Sequence, residues 1–262
     1  MTGTPALDPF YRLVRLDETA STNDDARRLA GEGAPQGTVV WALRQSAGRG
    51  RRGRRWDSPP GNLYMSLLLR PEMPLARAGQ IGFLAALAIS ETLATLLPGR
   101  RVACKWPNDV LIDGKKAAGL LLESEARLGD GQEGGSTDWL VLGLGVNVAS
   151  HPEGVEFPAT SLAAHGSGAD VADVLSGIAE RFAGWYGRWQ AEGFAPVRQA
   201  WLARAAGIGG PVRVRFETRT EEGVFAGLDG EGALLLHKPG AAAPLRVTAG
   251  DLFFPAATEK AQ

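Results

Sequence analysis

Gly48-Arg49-Gly50-Arg51-Arg52-Gly53 joins two things that anion chemistry needs, fixed cations and a backbone that can come close. The stretch 44–55 holds six arginines and no acid, in a chain whose formal net charge is only −1. Such a cluster requires an anionic partner or a solvated surface. Glycine lacks Cβ, so its N–H can turn toward a ligand as in loops that cradle phosphates. The first expectation is therefore a loop that holds a phosphate or a carboxylate.

The same string fits the G-x-G-x-x-G dinucleotide fingerprint, which carries weight only between a strand and a helix. A strand precedes it, since Gly37-Thr38-Val39-Val40-Trp41-Ala42-Leu43 is β-branched and apolar. After it the chain runs into Pro59-Pro60-Gly61, where no helix starts. A dinucleotide site is not expected. A basic arm for nucleic acid is the bland alternative. No basic helix or aromatic-rich sheet accompanies the arginines, and the sequence pI is about 6.3.

The chain has 262 residues, enough for one sizeable core and a small appended unit. Its 44% hydrophobic and 22% charged residues are the proportions of an ordinary globular protein. No apolar run is expected to reach the roughly 20 residues that cross a bilayer, and residues 1–20 do not read as a signal peptide. The single cysteine, Cys104, excludes an internal disulfide and fits a reducing cytoplasm. His151, His165 and His237 are scattered, so no metal-ligating set is expected.

These residues need elements to position them. Ser21, Thr22 or Asn23 can cap a short helix whose first turn carries Asp24 and Asp25 and which stops at Gly31 and Gly33. Residues 62–69 read as a buried strand. Residues 75–97 read as a helix with Ile81, Leu84, Ala85, Ala88, Ile89 and Leu93 on one stripe. Strands at 101–106, 110–112 and 116–123 come next, the last two joined across Asp113-Gly114. A surface loop spans 126–137, then a strand covers 139–148. Helices fall near 171–190 and 195–206, where Trp185, Trp189 and Trp201 read as core. Beyond a glycine linker at 207–210, strands at 212–216, 223–227, 233–236 and 245–247 read as a small β-barrel.

Four segments stand together: Ser21-Thr22-Asn23; Gln45 with the arginine run through Trp56; Lys105-Trp106-Pro107-Asn108-Asp109 and then Lys115-Lys116-Ala117-Ala118-Gly119; and Gly143-Leu144-Gly145-Val146-Asn147. In order and spacing they closely resemble biotin protein ligases, also called biotin–[acetyl-CoA-carboxylase] ligases, over residues 17–256. The resemblance implies an α+β fold. A mixed sheet with flanking helices, like that of class II synthetases and biotin–lipoyl ligases, would occupy 1–207 as the catalytic domain. A small SH3-like β-barrel would occupy 208–262. It implies a two-step reaction in the cytoplasm. Biotin and ATP, with Mg²⁺, would give biotinyl-5′-AMP, and a lysine of the biotin carboxyl carrier protein of acetyl-CoA carboxylase would then displace AMP.

By the same resemblance Lys116, Arg51 and Asp109 would be catalytic. Lys116 would bridge the biotin carboxylate and the α-phosphate, and Asp109 would help hold Mg²⁺ or accept a proton; the sequence does not choose. Biotin would meet Ser21, Thr22, Asn23, Gln45, Arg49, Gly50, Arg51, Trp56, Lys116 and Gly119. Neutral donors and acceptors suit its neutral urea. ATP would meet Gly48, Arg51, Arg52, Trp56, Asn108, Lys116 and Asn147, with 151–162 as the adenine-covering loop. Some have a plainer reading: a cap for Ser21 and Thr22, core for Trp56, a solvated hairpin lysine for Lys116, as its neighbour Lys115 is read.

Members of this family that repress genes carry an N-terminal helix-turn-helix. The twenty residues before Ser21 are too few for one, so no DNA binding is expected. Pairing of sheets edge to edge would give a homodimer, and the sequence leaves monomer and dimer both open. The competing function is a lipoate or octanoate ligase of the same superfold. That enzyme would need a long apolar slot rather than the Ser-Thr-Asn/Gln set. A nucleic-acid module is the reading from a different class.

Overall fold

The computed structural model describes residues 3–127 and 136–255. In chain order the elements are β1 (Arg12–Leu16), α1 (Thr22–Gly31), β2 (Thr38–Ala42), β3 (Leu63–Leu69), α2 (Gln80–Leu96), β4 (Val102–Lys105), β5 (Asp109–Ile112), β6 (Lys115–Arg127), β7 (Ser136–Val146), α3 (Val171–Glu192), α4 (Phe194–Ala203), β8 (Pro211–Arg215), β9 (Thr220–Leu228), β10 (Leu234–His237), β11 (Leu245–Val247) and β12 (Asp251–Phe253). The first seven strands form one sheet in the order β1-β2-β3-β7-β6-β5-β4. Only β1 and β2 run parallel, so the sheet is mixed.

Strand alternation decides which face carries which layer. Leu63, Met65, Leu67 and Leu69 of β3 and Leu140, Leu142, Leu144 and Val146 of β7 join the main core under α2 and α3. Val40, Leu68, Trp139 and Val141 face the other way and pack with Ala26 and Ala30 of α1 in a second cluster. On that second face Ser66 and Gly143 contact Asn23, so the groove beside α1 is left open by small residues.

The helix at 75–97 was expected to carry a single apolar stripe. Instead Ile81, Phe83, Leu84, Ala85, Ala86, Leu87, Ala88 and Ile89 are all buried, because α3 and α4 cover α2 on the side away from the sheet. Leu75–Leu96 accordingly has the length and apolarity of a membrane-crossing helix, and most of it is buried within the protein. Trp201 is core, as expected. Trp185 and Trp189 are only half-buried and donate to Glu91 and Gln80 at 3.1 and 2.9 Å.

Two strands carry no strong sequence signal: β1, which places Arg12 and Arg15 at the sheet's edge, and the three-residue β12. The loop expected at 126–137 is shorter. Ala126 and Thr137 pair across β6 and β7, and Thr137 is buried on the Met73 carbonyl; the residues between 128 and 135 lie outside the described residues. Asp113 and Gly114 form the β5–β6 turn with φ of 48° and 80°, the left-handed pair a two-residue hairpin needs.

The C-terminal strands form an antiparallel sheet, β11-β10-β9-β8-β12, the SH3-like unit. Its Val212, Val214, Phe225, Leu234 and Leu252 belong to the same apolar cluster as the main sheet. Trp106 fixes the join. It is 2% exposed, and its indole N–H donates to the Gly232 carbonyl at 3.2 Å.

Candidate active site

A cavity of about 350 Å³ opens on the α1 face of the main sheet. Its floor is Gly119, Gly143 and Gly145, all within its lining. A Cβ at Gly143 would lie 2.2 Å from Asn23 Oδ1, and one at Gly145 would lie 2.6 Å from the Trp56 indole. Side chains there would expel both residues, so the glycines set the depth of the cleft.

One end is neutral and tightly tied together. Asn23 is fixed from two sides, its Nδ2 donating to Glu123 Oε2 at 2.7 Å while Ser66 Oγ donates to its Oδ1 at 2.6 Å. Ser66 Oγ also lies 2.8 Å from Thr22 Oγ1. Gln45 Oε1 accepts from the Thr22 N–H at 2.8 Å, and its Nε2 donates to Ser58 Oγ at 3.0 Å. These bonds fix each amide's orientation, because only Nδ2 or Nε2 can donate. Ser21, at the start of α1, makes no side-chain cap bond and lines the cavity.

The other end is charged. The β5–β6 register slips between Val110 and Leu111: Val110 faces Ala118 but Leu111 faces Lys116, leaving Ala117 as an extra residue. Such a bulge reverses which face later side chains take. Lys116 therefore lies over Gly119, where an added Cβ would be 3.3 Å from its Nζ. Its ammonium sits 2.6 Å from Asp109 Oδ1, an ionic contact outside hydrogen-bond geometry, and 5.3 Å from the centre of the Trp56 ring. Lys105 Nζ reaches the other Asp109 oxygen at 3.3 Å and stands 3.4 Å from the centre of the Phe157 ring. Two ammonium groups thus share one carboxylate that is itself buried. Burial lowers the Lys105 pKa below its ordinary value, with Asp109 opposing. Arg51 is lowered for the same first reason, and its Nη1 donates to Asn108 Oδ1 and the Gly250 carbonyl, both at 3.3 Å.

Most residues expected at the site line this cavity: Ser21, Thr22, Asn23, Gln45, Arg49, Gly50, Arg51, Trp56, Asn108, Asp109, Lys116, Gly119 and Asn147. Gly48 and Arg52 do not. Gly48 accepts from the Trp56 N–H at 2.9 Å, and a Cβ there would strike the Trp56 carbonyl and Ser58, so it serves the loop's own fold. Arg52 turns toward Asp251, 3.4 Å away. Arg49 touches the rim, but its guanidinium grips both oxygens of Asp24 at 2.6 and 2.7 Å. Asn147 Nδ2 donates to the Thr160 carbonyl at 3.0 Å and so pins the 151–162 segment. That segment adds Pro152, Val155, Glu156, Phe157 and Ala159 to the lining.

Sequence reasoning missed several members. Lys105 opens the Lys-Trp-Pro-Asn-Asp segment, yet its type alone gave it no role. Ser66 lies on a strand read as buried, and Glu123 ends the strand read at 116–123, given no role beyond its hairpin. Asp251 and Phe253 come from β12, which had no signal. Among the described residues no cluster of three or more His, Cys, Asp or Glu could hold a metal ion.

The same chain matches known proteins along most of its length. The model of the "Biotin/lipoate A/B protein ligase family" matches residues 15–147, and that of the "Biotin protein ligase C terminal domain" matches 207–254. The chain is 40% identical to the biotin–[acetyl-CoA-carboxylase] ligase of Paracoccus denitrificans, over 91% of this chain and 99% of that protein. It is 39% identical to the bifunctional ligase/repressor BirA of Bacillus subtilis, over 86% and 69%. Among solved structures, a biotin protein ligase from Aquifex aeolicus in complex with biotin and ATP superposes with a TM-score of 0.76 at 29% identity, over 92% and 97% of the two chains.

Proposed function

The chain belongs to the biotin/lipoate A/B protein ligase family, and on that premise we propose how its cavity works as that of an ATP-dependent biotin protein ligase. The enzyme activates biotin as biotinyl-5′-AMP and transfers the acyl group to a lysine. One observation carries the assignment of residues: a single cavity has a neutral, hydrogen-bonding end and a cationic end. The urea of biotin is neutral and suits Ser21, Thr22, Asn23 and Gln45. Its carboxylate and the nucleotide phosphates suit Lys116, Lys105 and Arg51.

In the first step a carboxylate oxygen attacks the α-phosphorus of ATP, and pyrophosphate leaves with the electrons of the broken P–O bond. Both reactants are anions. Lys116, next to Trp56 and free of any hydrogen bond to Asp109, is placed to bring them together and to stabilise charge spreading over the α-phosphate. Arg51 adds a second cation from the loop. In the second step the acceptor amine attacks the acyl carbon, AMP leaves, and Asp109, the cavity carboxylate beside Lys116, takes the amine's proton. Water must be kept out, since the acyl-adenylate hydrolyses if wet.

Mg²⁺ enters this reading as a companion of the triphosphate. Asp109 already faces two ammonium groups, so the residues present do not form a protein-built metal site. The acceptor is the biotin carboxyl carrier protein of acetyl-CoA carboxylase, and the reaction belongs in the cytoplasm, where the lone buried Cys104 stays reduced.

The test is calorimetric titration with biotin and with lipoate, each with and without MgATP. Biotin should bind, more tightly with nucleotide, and lipoate should not. Preferential lipoate binding would overturn the assignment of the neutral end.

A further inference from the structure

The arginine loop takes its ionic partners from outside its own hairpin. Its hairpin is closed by the Arg49–Arg55 bridge and by Gly50 N–H donating to the Arg54 carbonyl at 2.7 Å. At its tip Arg52 and Gly53 both adopt left-handed backbone, with φ of 56° and 70°. A residue with a side chain enters that region at a cost. The loop contains no acid, so its guanidinium groups repel one another unless each finds a partner outside.

Those partners lie on two sides. Arg49 is gripped by Asp24 on α1. On the other side residues 250 and 251 take Arg51, Arg52 and Arg54, while Arg55 pairs with Asp57 at 2.9 Å. Arg51 donates to the Gly250 carbonyl, Arg54 hydrogen-bonds Asp251 Oδ2, and Arg52 Nη1 lies 3.4 Å from the same oxygen. Arg215 of β8, opposite Asp251 in the β8–β12 pair, approaches that oxygen at 3.6 Å. Arg215 also binds both oxygens of Glu156 at 2.5 and 2.9 Å, and Glu156 belongs to the loop on the far side of the cavity. One carboxylate, 12% exposed, thus joins the C-terminal sheet to the arginine loop directly and to the 151–162 segment through Arg215.

We propose that Asp251 is a positioning residue: it ties the arginine loop to the C-terminal sheet and so keeps the covers of the cavity closed over the acyl-adenylate. Its effect on the intermediate rests on the ligase reading; the tether itself does not. An isolated exposed ion pair would do little. Here several arginines converge on one mostly buried acid, and losing it leaves like charges facing one another. Burial alone would raise the Asp251 pKa, yet Arg54, Arg52 and Arg51 hold it below the ordinary carboxylate value.

The test uses the full chain with Asp251→Asn, Asp251→Glu and Arg54→Gln. Limited trypsin digestion without ligand reads the loop directly, since cleavage follows the population of its open form. Cleavage within 49–55 should rise about tenfold in Asp251→Asn, return toward wild type in Asp251→Glu, and rise by a smaller factor after Arg51 and Arg55 in Arg54→Gln. Release of preformed acyl-adenylate should quicken about tenfold in Asp251→Asn, while MgATP affinity does not fall. If Asp251→Asn does not fold, Arg54→Gln carries the test, because Arg54 is 53% exposed. A loop as resistant as wild type in the variants that fold would overturn the proposal. So would a change confined to tighter MgATP binding, the mark of a mere change in local charge. If the wild-type chain formed no acyl-adenylate from biotin, the ligase reading would fail while the digestion still judged the tether.

Discussion

The two ends of the cavity are built in opposite ways. At the neutral end Thr22, Asn23, Gln45, Ser58 and Ser66 satisfy one another, and Asn23 is locked between a strand hydroxyl and Glu123. At the charged end two ammonium groups crowd one carboxylate, Asp109 Oδ1 lacks a hydrogen bond, and burial disfavours the charges of Lys105 and Arg51. The first arrangement is finished before a ligand arrives and selects by shape and by donor and acceptor. The second is incomplete alone, and an anion would relieve it. On the proposed reading specificity and chemistry sit at separate ends of one groove, with Trp56 beside the Lys116 ammonium.

Removing the central charge breaks the comparison most severely. Lys116→Ala should leave the fold and biotin's urea contacts intact and cut adenylate formation by about a thousandfold. One charge at about 4 Å, in an effective dielectric near 20, is worth roughly 4 kcal/mol. Single-turnover assays with labelled ATP measure this. Wild-type rates in the variant would mean that the charged end does not act on the reacting centre.

Legibility in the sequence divides along the same line. Lys116, Arg51 and Asp109 are legible as lining residues because the short motifs that hold them resemble those of biotin protein ligases. The bulge at Ala117 that turns Lys116 toward the groove is not, for it depends on how β5 and β6 register. Ser66 is hidden in the apolar run of β3, and Glu123 directly follows three leucines of β6. Asp251 lies about 200 residues beyond the arginine loop and Phe157 about 100, so both reach the site only through tertiary folding. The β12 strand is too short for periodicity to mark it. The helix at 75–97 reads as a helix but not as a wholly buried one, since that depends on the cover given by α3 and α4.

A gentler change sharpens the contrast. Ser66→Ala removes the hydroxyl that orders Thr22 and Asn23, leaving the buried Asn23 oxygen without this donor. Biotin affinity should fall about tenfold and stability by roughly 1–2 kcal/mol, while MgATP affinity stays unchanged. Calorimetry and thermal unfolding read both. Equal weakening of MgATP would show that the two ends are coupled rather than separate.

The smallest effect, and the one most specific to the charged end, is its pH dependence. Lys105 has a side chain 7% exposed and a pKa lowered from 10.5, first by burial, with Asp109 raising it and Lys116 lowering it further. Between the lowered value and 10.5 the unfolded chain therefore binds more protons at this residue than the native one, so its contribution to stability increases with pH through that window and is lost as pH falls below it. Ligand binding runs the other way. Deprotonation removes a cation from the phosphate end, so MgATP affinity should decline, by about fivefold, at a lower pH than an ordinary lysine would impose. Binding of biotin alone should not change in step. Lys105→Met keeps the stem that packs on Phe157 but has nothing to titrate, so the alkaline step should vanish from its MgATP titrations. A step that survives there must belong to another group, and the crowding of two ammoniums on Asp109 would then not be what tunes the phosphate end.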